Sequence, residues 1–195
     1  MPTGVALHDA RQQLFDAAER VLLRDGQNAL TSRAVTTEAG CAKGVLHRHF
    51  ADFDAFLTDF VLDRIARLDD RTAGLRESAG TGTVTDNLTE SLTAVFGSVA
   101  LAIVGLITAR DELRARLRRD LPAGVPMLTD AAIMIGAYLA AERDLGRIAA
   151  DADPDTLAAM LIGTGHLLFA GNEGTPPETA AVRKVVTSVL ATTLR

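Results

Sequence analysis

The sequence predicts an all-α protein, on three observations: apolar residues recur at helical spacing, strand signals are nearly absent, and glycine and proline cut the chain into about nine segments. Leu14, Ala17, Ala18, Val21 and Leu22 line one face of a helix. Phe53, Phe56, Leu57, Phe60, Val61 and Ile65 line a second, which continues to about Leu68. Val182, Val185, Val186, Val189 and Leu190 form a third stripe near the end of the chain. No Asn-Gly or Asp-Gly pair joins two β-branched runs; Asp25-Gly26 follows a strong helix and reads as its stop.

Taken in order, the first helix covers about 9–25, with Asp9 as N-cap and Gly26 as the left-handed stop. Two short helices follow, at about 32–39 and 43–49. A long fourth, about 53–78, ends in the Gly/Ser/Thr-rich stretch Ser78 to Thr83. The fifth, about 85–109, carries no charge from Ser91 to Ala109. That stretch would reach about 28 Å as helix, close to a bilayer core. Its Ser91, Thr93, Gly97, Ser98, Gly105 and Thr108, and the lack of a flanking basic cluster, point instead to a buried helix. A charge-dense sixth, Arg110 to Asp120, stops before Pro122, and a seventh runs from about Val125 to Arg143. Asp153-Pro154 opens the eighth, which ends near Gly171, and Thr175-Pro176-Pro177 separates it from the ninth, about 178–194. Gly163 and Gly165 sit inside the eighth, where they would admit a close neighbour at a propensity cost of about 1 kcal/mol each.

The 195 residues suffice for a buried core, and 48% hydrophobic against 23% charged residues excludes wholesale disorder. The single cysteine, Cys41, excludes an internal disulfide and a cysteine-clustered metal site. Met1 to Leu7 has neither a basic start nor a long apolar core, so the expected compartment is the cytoplasm. The net charge of −5 argues against a protein coated in positive charge, but nucleic-acid binding depends on local charge.

That local charge lies between Leu30 and Phe50. The segment reads as two short helices joined by a tight turn at Gly40, with Thr31 or Ser32 capping the first. Ala34, Val35 and Ala39 offer small surfaces for packing, and Leu46 and Phe50 face back onto them. Lys43, Gly44, His47 and Arg48 are left on the outer face of the second helix, the geometry of a helix-turn-helix whose second helix fits the major groove. Arg33, Lys43 and Arg48 against Glu38 give the segment a fixed charge of +2, leaving −7 for the rest. Such a chain is repelled by DNA everywhere except at one small face, which fixes its orientation.

At these residues the sequence resembles the TetR family of transcriptional repressors. The resemblance runs from about Asp9 to Phe60: a first helix with Arg11, Leu14, Ala17-Ala18 and Gly26, a start at Leu30-Thr31-Ser32-Arg33, the turn Glu38-Ala39-Gly40 and a recognition helix Lys43 to Phe50. Farther on, Gly146-Arg147-Ile148 matches a Gly-x-Ile that the family often has after its seventh helix. The resemblance implies a helix-turn-helix DNA-binding domain over 1–52 and a ligand-sensing and dimerisation domain over 53–195. It implies double-stranded operator DNA as partner, with contacts from Thr31, Ser32, Arg33, Lys43, Gly44, Val45, His47, Arg48 and His49. Three positions depart from its pattern: His47 stands for a common tyrosine, Ala42 for a serine cap, and Phe53 for a phosphate-binding lysine. Ala42 and Phe53 motivate a second reading, an all-α interaction protein of the same fold that has lost strong operator binding.

Enzymatic signals are lacking. His47 and His49 lie about 200° apart around a helix and cannot share a metal, and no serine or cysteine nucleophile has a recognisable partner. Gly163-Thr164-Gly165 lacks the preceding strand and third glycine of a dinucleotide loop, so no cofactor is expected. Phe60, Phe96, Val99, Ile103, Ile107, Met127, Met134 and Tyr138, with His166, are candidates to line a site for a small apolar or aromatic ligand. The helices at about 154–171 and 178–194 are apolar enough to need a partner, which the resemblance assigns to their copies in a homodimer.

Overall fold

The computed structural model describes residues 5–97, 99–121, 124–171 and 175–194, with side chains except at 5–9, 69–73 and 120. Among them are ten α-helices: α1 Val5–Asp25, α2 Ser32–Glu38, α3 Gly44–His49, α4 Phe53–Glu77, α5 Val84–Phe96, α6 Ala100–Ala109, α7 Asp111–Asp120, α8 Leu128–Asp144, α9 Pro154–Ala170 and α10 Thr179–Leu190. One 3-10 turn, Gln27–Ala29, links α1 to α2. The described residues hold no strand, only one isolated bridge between Ile148 and Leu194. The all-α class is as predicted.

Two boundaries differ from expectation. The predicted fifth helix is two helices, because the α-helical ladder stops at Gly97, whose N–H closes the last turn onto Thr93 O at 2.8 Å. A Cβ on Gly97 would lie 2.6 Å from that carbonyl, so this end suits glycine alone. Uniform apolarity hid the break in the sequence. Asp9 is not the first N-cap, since α1 is already helical from Val5. No single described helix is long and apolar enough to cross a membrane.

The described chain forms two compact units. The first comprises residues up to Arg64 and Ala102–Leu121; the second comprises Ile65–Leu101 and the residues from Pro122 onward. In the first unit, Leu14, Ala17, Ala18, Val21 and Leu22 of α1 are all buried, as their spacing predicts. Val35, Leu46, Phe56, Leu57, Ile103, Leu106 and Leu117 of the same unit are buried as well, and each large side chain so buried contributes about 1.5–3 kcal/mol. The ring of Phe15 lies 5.8, 5.7 and 6.1 Å from those of Phe50, Phe56 and Phe60. Arg64 is almost fully buried, with Nη2 2.9 Å from Asp16, Nε 2.6 Å from Glu19 and its guanidinium 5.1 Å from the Phe60 ring. Three carboxylates, Asp63 included, hold this one cation and so fasten α1 to α4.

In the second unit, α8 and α9 approach closely where Gly136 leaves room for Ala158 and Asp155. Gly165 does the same for α5: a Cβ there would lie 2.7 Å from the Phe96 ring. Gly163 has nothing within 4 Å, so only one of the two predicted close approaches occurs within the chain. Asp153 caps α9 by accepting the Asp155 N–H at 3.2 Å, with Pro154 in the first turn. Val182, Val186 and Leu190 of α10 are buried within their own chain, where α10 packs on α5 and α9. Val185 and Val189 of the same stripe are only half-buried, so the stripe is covered in part within the chain. On α9, Leu157, Leu161, Ile162 and Phe169 also turn inward, whereas Met160 and Leu167 stay exposed, Leu167 at 73%.

The connection from α4 to α5 is pinned from several sides. Glu142, fully buried on α8, accepts the Gly80 N–H at 3.3 Å and pairs with Arg147 at 3.3 Å. Arg147 also donates to Gly82 O at 2.6 Å, and Asn87 donates to Thr81 O at 3.0 Å. Burial and the hydrogen bond to Glu142 hold the Tyr138 phenol well above its ordinary pKa, while Asn87 donates to its oxygen at 3.0 Å.

Candidate nucleic-acid interface and sensor residues

Local chemistry fixes the helix-turn-helix. Thr31 is extended, and its Oγ1 accepts the Ala34 N–H at 3.2 Å, capping α2. Thr36 Oγ1 donates back to Ser32 O at 2.9 Å. Gly40 turns the chain with φ +66°, a left-handed value that a β-carbon would strain, and the Cys41 N–H reaches Thr36 O at 3.0 Å. Cys41 itself is a half-buried turn residue. Leu46 and Phe50 anchor α3 from beneath. At the start of α3 no side chain caps the helix, in keeping with Ala42.

The nine residues expected to meet DNA differ in exposure. Thr31, Arg33, Lys43, Gly44, His47 and Arg48 are exposed, and Ser32, Val45 and His49 are half-buried. Space above Gly44 is open, with no heavy atom within 4 Å of where its Cβ would stand. His47, Arg48 and His49 occupy the last turn of α3, where positive charge suits the helix dipole.

Charge pairing divides the cations of this unit into two sets. Arg11 meets Asp59 at 2.6 Å and places its guanidinium 4.5 Å from the Phe50 ring. Arg20 and Arg24 reach Glu38 at 2.7 and 2.9 Å. Hydrogen bonds from Arg20 and then Arg24 hold the Glu38 carboxyl below the usual carboxylate range. The single acid of the segment is therefore engaged by α1 and does not offset its cations. Arg33, Lys43 and Arg48 form no ion pair with any described residue.

Two arginines that the sequence did not single out brace this head. Arg110 donates to Leu30 O at 2.9 Å and lies 5.7 Å from the Phe53 ring. Arg116 on α7 grips Asp52 through two bonds of 3.0 Å, and Asp52 caps α4 by accepting the Ala55 N–H at 2.6 Å. The Arg116 hydrogen bond holds the Asp52 carboxyl below its ordinary range. Where the family pattern has a lysine, Phe53 instead provides a ring against a cation carried by a distant segment. Sixty to eighty positions separate these partners, so no local signal linked them.

The predicted sensor residues divide between the two units. Phe60, Ile103 and Ile107 are buried in the first. Phe96, Val99, Met127 and Tyr138 are buried in the second, with Met134 half-buried. Met127 holds an unusual φ of +71°, with its N–H bonded to Asp130 at 3.0 Å. His166 is half-buried, 6.3 Å from the Phe96 ring, and its buried Nδ1 has no hydrogen-bond partner. A cavity of about 250 Å³ in the second unit has a different lining: Gly74, Leu75 and Ser78 at the end of α4, and Asn87, Glu90, Ser91 and Ala94 on α5. Among the described residues no cluster of histidine, cysteine or carboxylate side chains is placed to hold a metal.

Residues 14–58 match the family model of bacterial regulatory proteins, tetR family. No curated relative matches the chain by sequence. Its fold is shared by solved structures. The reduced form of NemR from Escherichia coli superposes with a TM-score of 0.75 at 13% identity, covering 94% of this chain and 97% of that one. FadR from Bacillus subtilis, solved with stearoyl-CoA, gives 0.70 at 18% identity, covering 92% and 97%. SmeT, the repressor of a Stenotrophomonas maltophilia multidrug efflux pump, gives 0.67 at 19%, covering 95% and 90%. The matched family is one of regulatory proteins, FadR is a transcriptional regulator and SmeT a repressor.

Proposed function

We propose that this chain is a TetR-family, ligand-responsive repressor that binds operator DNA as a homodimer in the cytoplasm, a reading supported by the match of residues 14–58 to that family's model and by the shared fold. The observation that carries this reading is the division of cations. Arginines that brace the head are paired with carboxylates or carbonyls, while Arg33 on α2 and Lys43 and Arg48 at α3 are exposed and form no ion pair with a described residue. An unpaired cationic face on an acidic protein is what phosphate binding requires.

In this reading residues 1–52 are the DNA-binding domain and 53–195 the sensing and dimerisation domain. Thr31, Ser32 and Arg33 contact the backbone at the start of α2. Lys43, Gly44, Val45, His47, Arg48 and His49 meet the major groove and its flanking phosphates. The exposed stripe Met160, Gly163, Thr164 and Leu167 on α9 supports pairing with a second copy. Two heads must then meet successive grooves about 34–36 Å apart. A small apolar or aromatic ligand, bound in the body and shifting α4, would alter that spacing. Release follows from geometry, with a coupling of about 1–3 kcal/mol.

Duplex DNA from upstream of the protein's own gene, titrated by fluorescence anisotropy at several salt concentrations, tests the reading. Affinity is expected to fall steeply with salt, by a log–log slope of about 0.9 for each phosphate contact. Sedimentation of Leu167→Glu, which places a carboxylate on the exposed α9 face, is expected to give a folded monomer with weakened duplex binding. Binding that neither discriminates among duplexes nor responds to salt overturns the repressor and leaves the interaction-protein reading.

A further inference from the structure

We propose that the cavity between the end of α4 and α5 is a binding site for a small amphiphilic organic cation, with Glu90 taking the cationic group, Ser91 a hydrogen bond and Leu75 the apolar body. The proposal deepens the regulator reading and rests on it for its regulatory meaning only. It stands on residues outside the predicted sensor set.

Ser91 is the first observation. It is only 6% exposed, and its Oγ has no hydrogen-bond partner in the protein. Neighbouring hydroxyls on α5 behave differently: Thr89 and Thr93 donate to the carbonyls four residues back, at 2.7 Å each. A buried hydroxyl left unmatched is destabilising, so Ser91 calls for a polar group in the cavity that it lines.

Glu90 is the second. It lines the same cavity, is exposed, and forms no ion pair with a described residue, on a face where Asn87 is already committed. Asn87 spends its amide nitrogen on Thr81 O and the Tyr138 hydroxyl, and among the described lining residues Glu90 is the one that carries charge. Buried Leu75 supplies an apolar surface. A carboxylate, a free hydroxyl and an apolar wall within about 250 Å³ fit an aryl-alkyl ammonium ion. They disfavour an anion, and the volume is small for a long-chain acyl ester.

Three probes of matched shape decide the matter on the full chain: 2-phenylethylammonium, 2-phenylethanol and 3-phenylpropanoate, titrated by calorimetry and by ligand-observed NMR. The ammonium ion is expected to bind about tenfold more tightly than the alcohol, with the carboxylate weakest. Glu90→Gln, at an exposed position, is expected to bring the ammonium ion down to the alcohol's affinity without moving the melting temperature. Ser91→Ala is expected to weaken both by several-fold. Equal affinity for all three probes, no binding at millimolar concentrations, or an ammonium preference that survives Glu90→Gln overturns the assignment. Duplex binding measured in parallel separates the two claims. A protein that ranks the probes but ignores duplex DNA refutes the regulator alone; one that grips duplex DNA without ranking the probes refutes the cavity alone.

Discussion

The two units use charge in opposite ways. In the first, paired arginines hold helices together and a few cations are kept apart from any carboxylate. In the second, buried Glu142 and half-buried Arg147 fasten a loop, and what the surface offers is an apolar stripe on α9 and a carboxylate beside a cavity. The difference teaches that pairing separates structure from function here. A cation with a partner holds the fold; one without is available to something outside it.

The largest test of that distinction is Arg64→Ala. It removes the guanidinium that Asp16, Glu19 and Asp63 share and is expected to cost about 3 kcal/mol in urea unfolding. Replacing Lys43 and Arg48 together by alanine should do the reverse: duplex affinity falls by about 30-fold and the salt slope by about 2, with the melting temperature unchanged. A loss of stability comparable to that of Arg64→Ala would erase the distinction. Gly165→Ala probes the body, where the new methyl meets Phe96; a net loss of about 1 kcal/mol is expected from crowding, less the helical gain of alanine.

Smaller effects concern pH. A histidine beside phosphate favours its protonated form, so duplex affinity should weaken a few-fold from about pH 6 to 8. His47→Tyr should flatten that trend, and an unchanged profile would remove His47 from the interface. Asp52, held below its ordinary range by Arg116, stabilises the fold above the unfolded carboxylate value of about 3.9. That contribution is lost as pH falls through the lower folded value. Asp52→Asn should therefore lose less stability than the parent between about pH 4 and 2, read by thermal unfolding.

The head was legible because neighbours in sequence set it. Thr31, Gly40 and the Leu46–Phe50 pair fix cap, turn and buried face within a few residues of each other. The body was less so. Val182 and Val186 announce an apolar face, but periodicity does not say whether α5 of the same chain or a second molecule covers it. The Arg110–Leu30 and Arg116–Asp52 bonds join residues far apart in the chain and leave no local mark. Ser91 read as one more polar residue in an apolar run; only the packed structure isolates its hydroxyl.

The stretch from Ser78 to Thr83 has a final consequence. Its glycines, serines and threonines have the composition of a slack tether, which a protease should cut first. Glu142, Arg147 and Asn87 instead clamp its backbone at Gly80, Thr81 and Gly82. Limited digestion of the native protein should spare this loop, and Arg147→Ala should open it to cleavage before the rest of the body loosens.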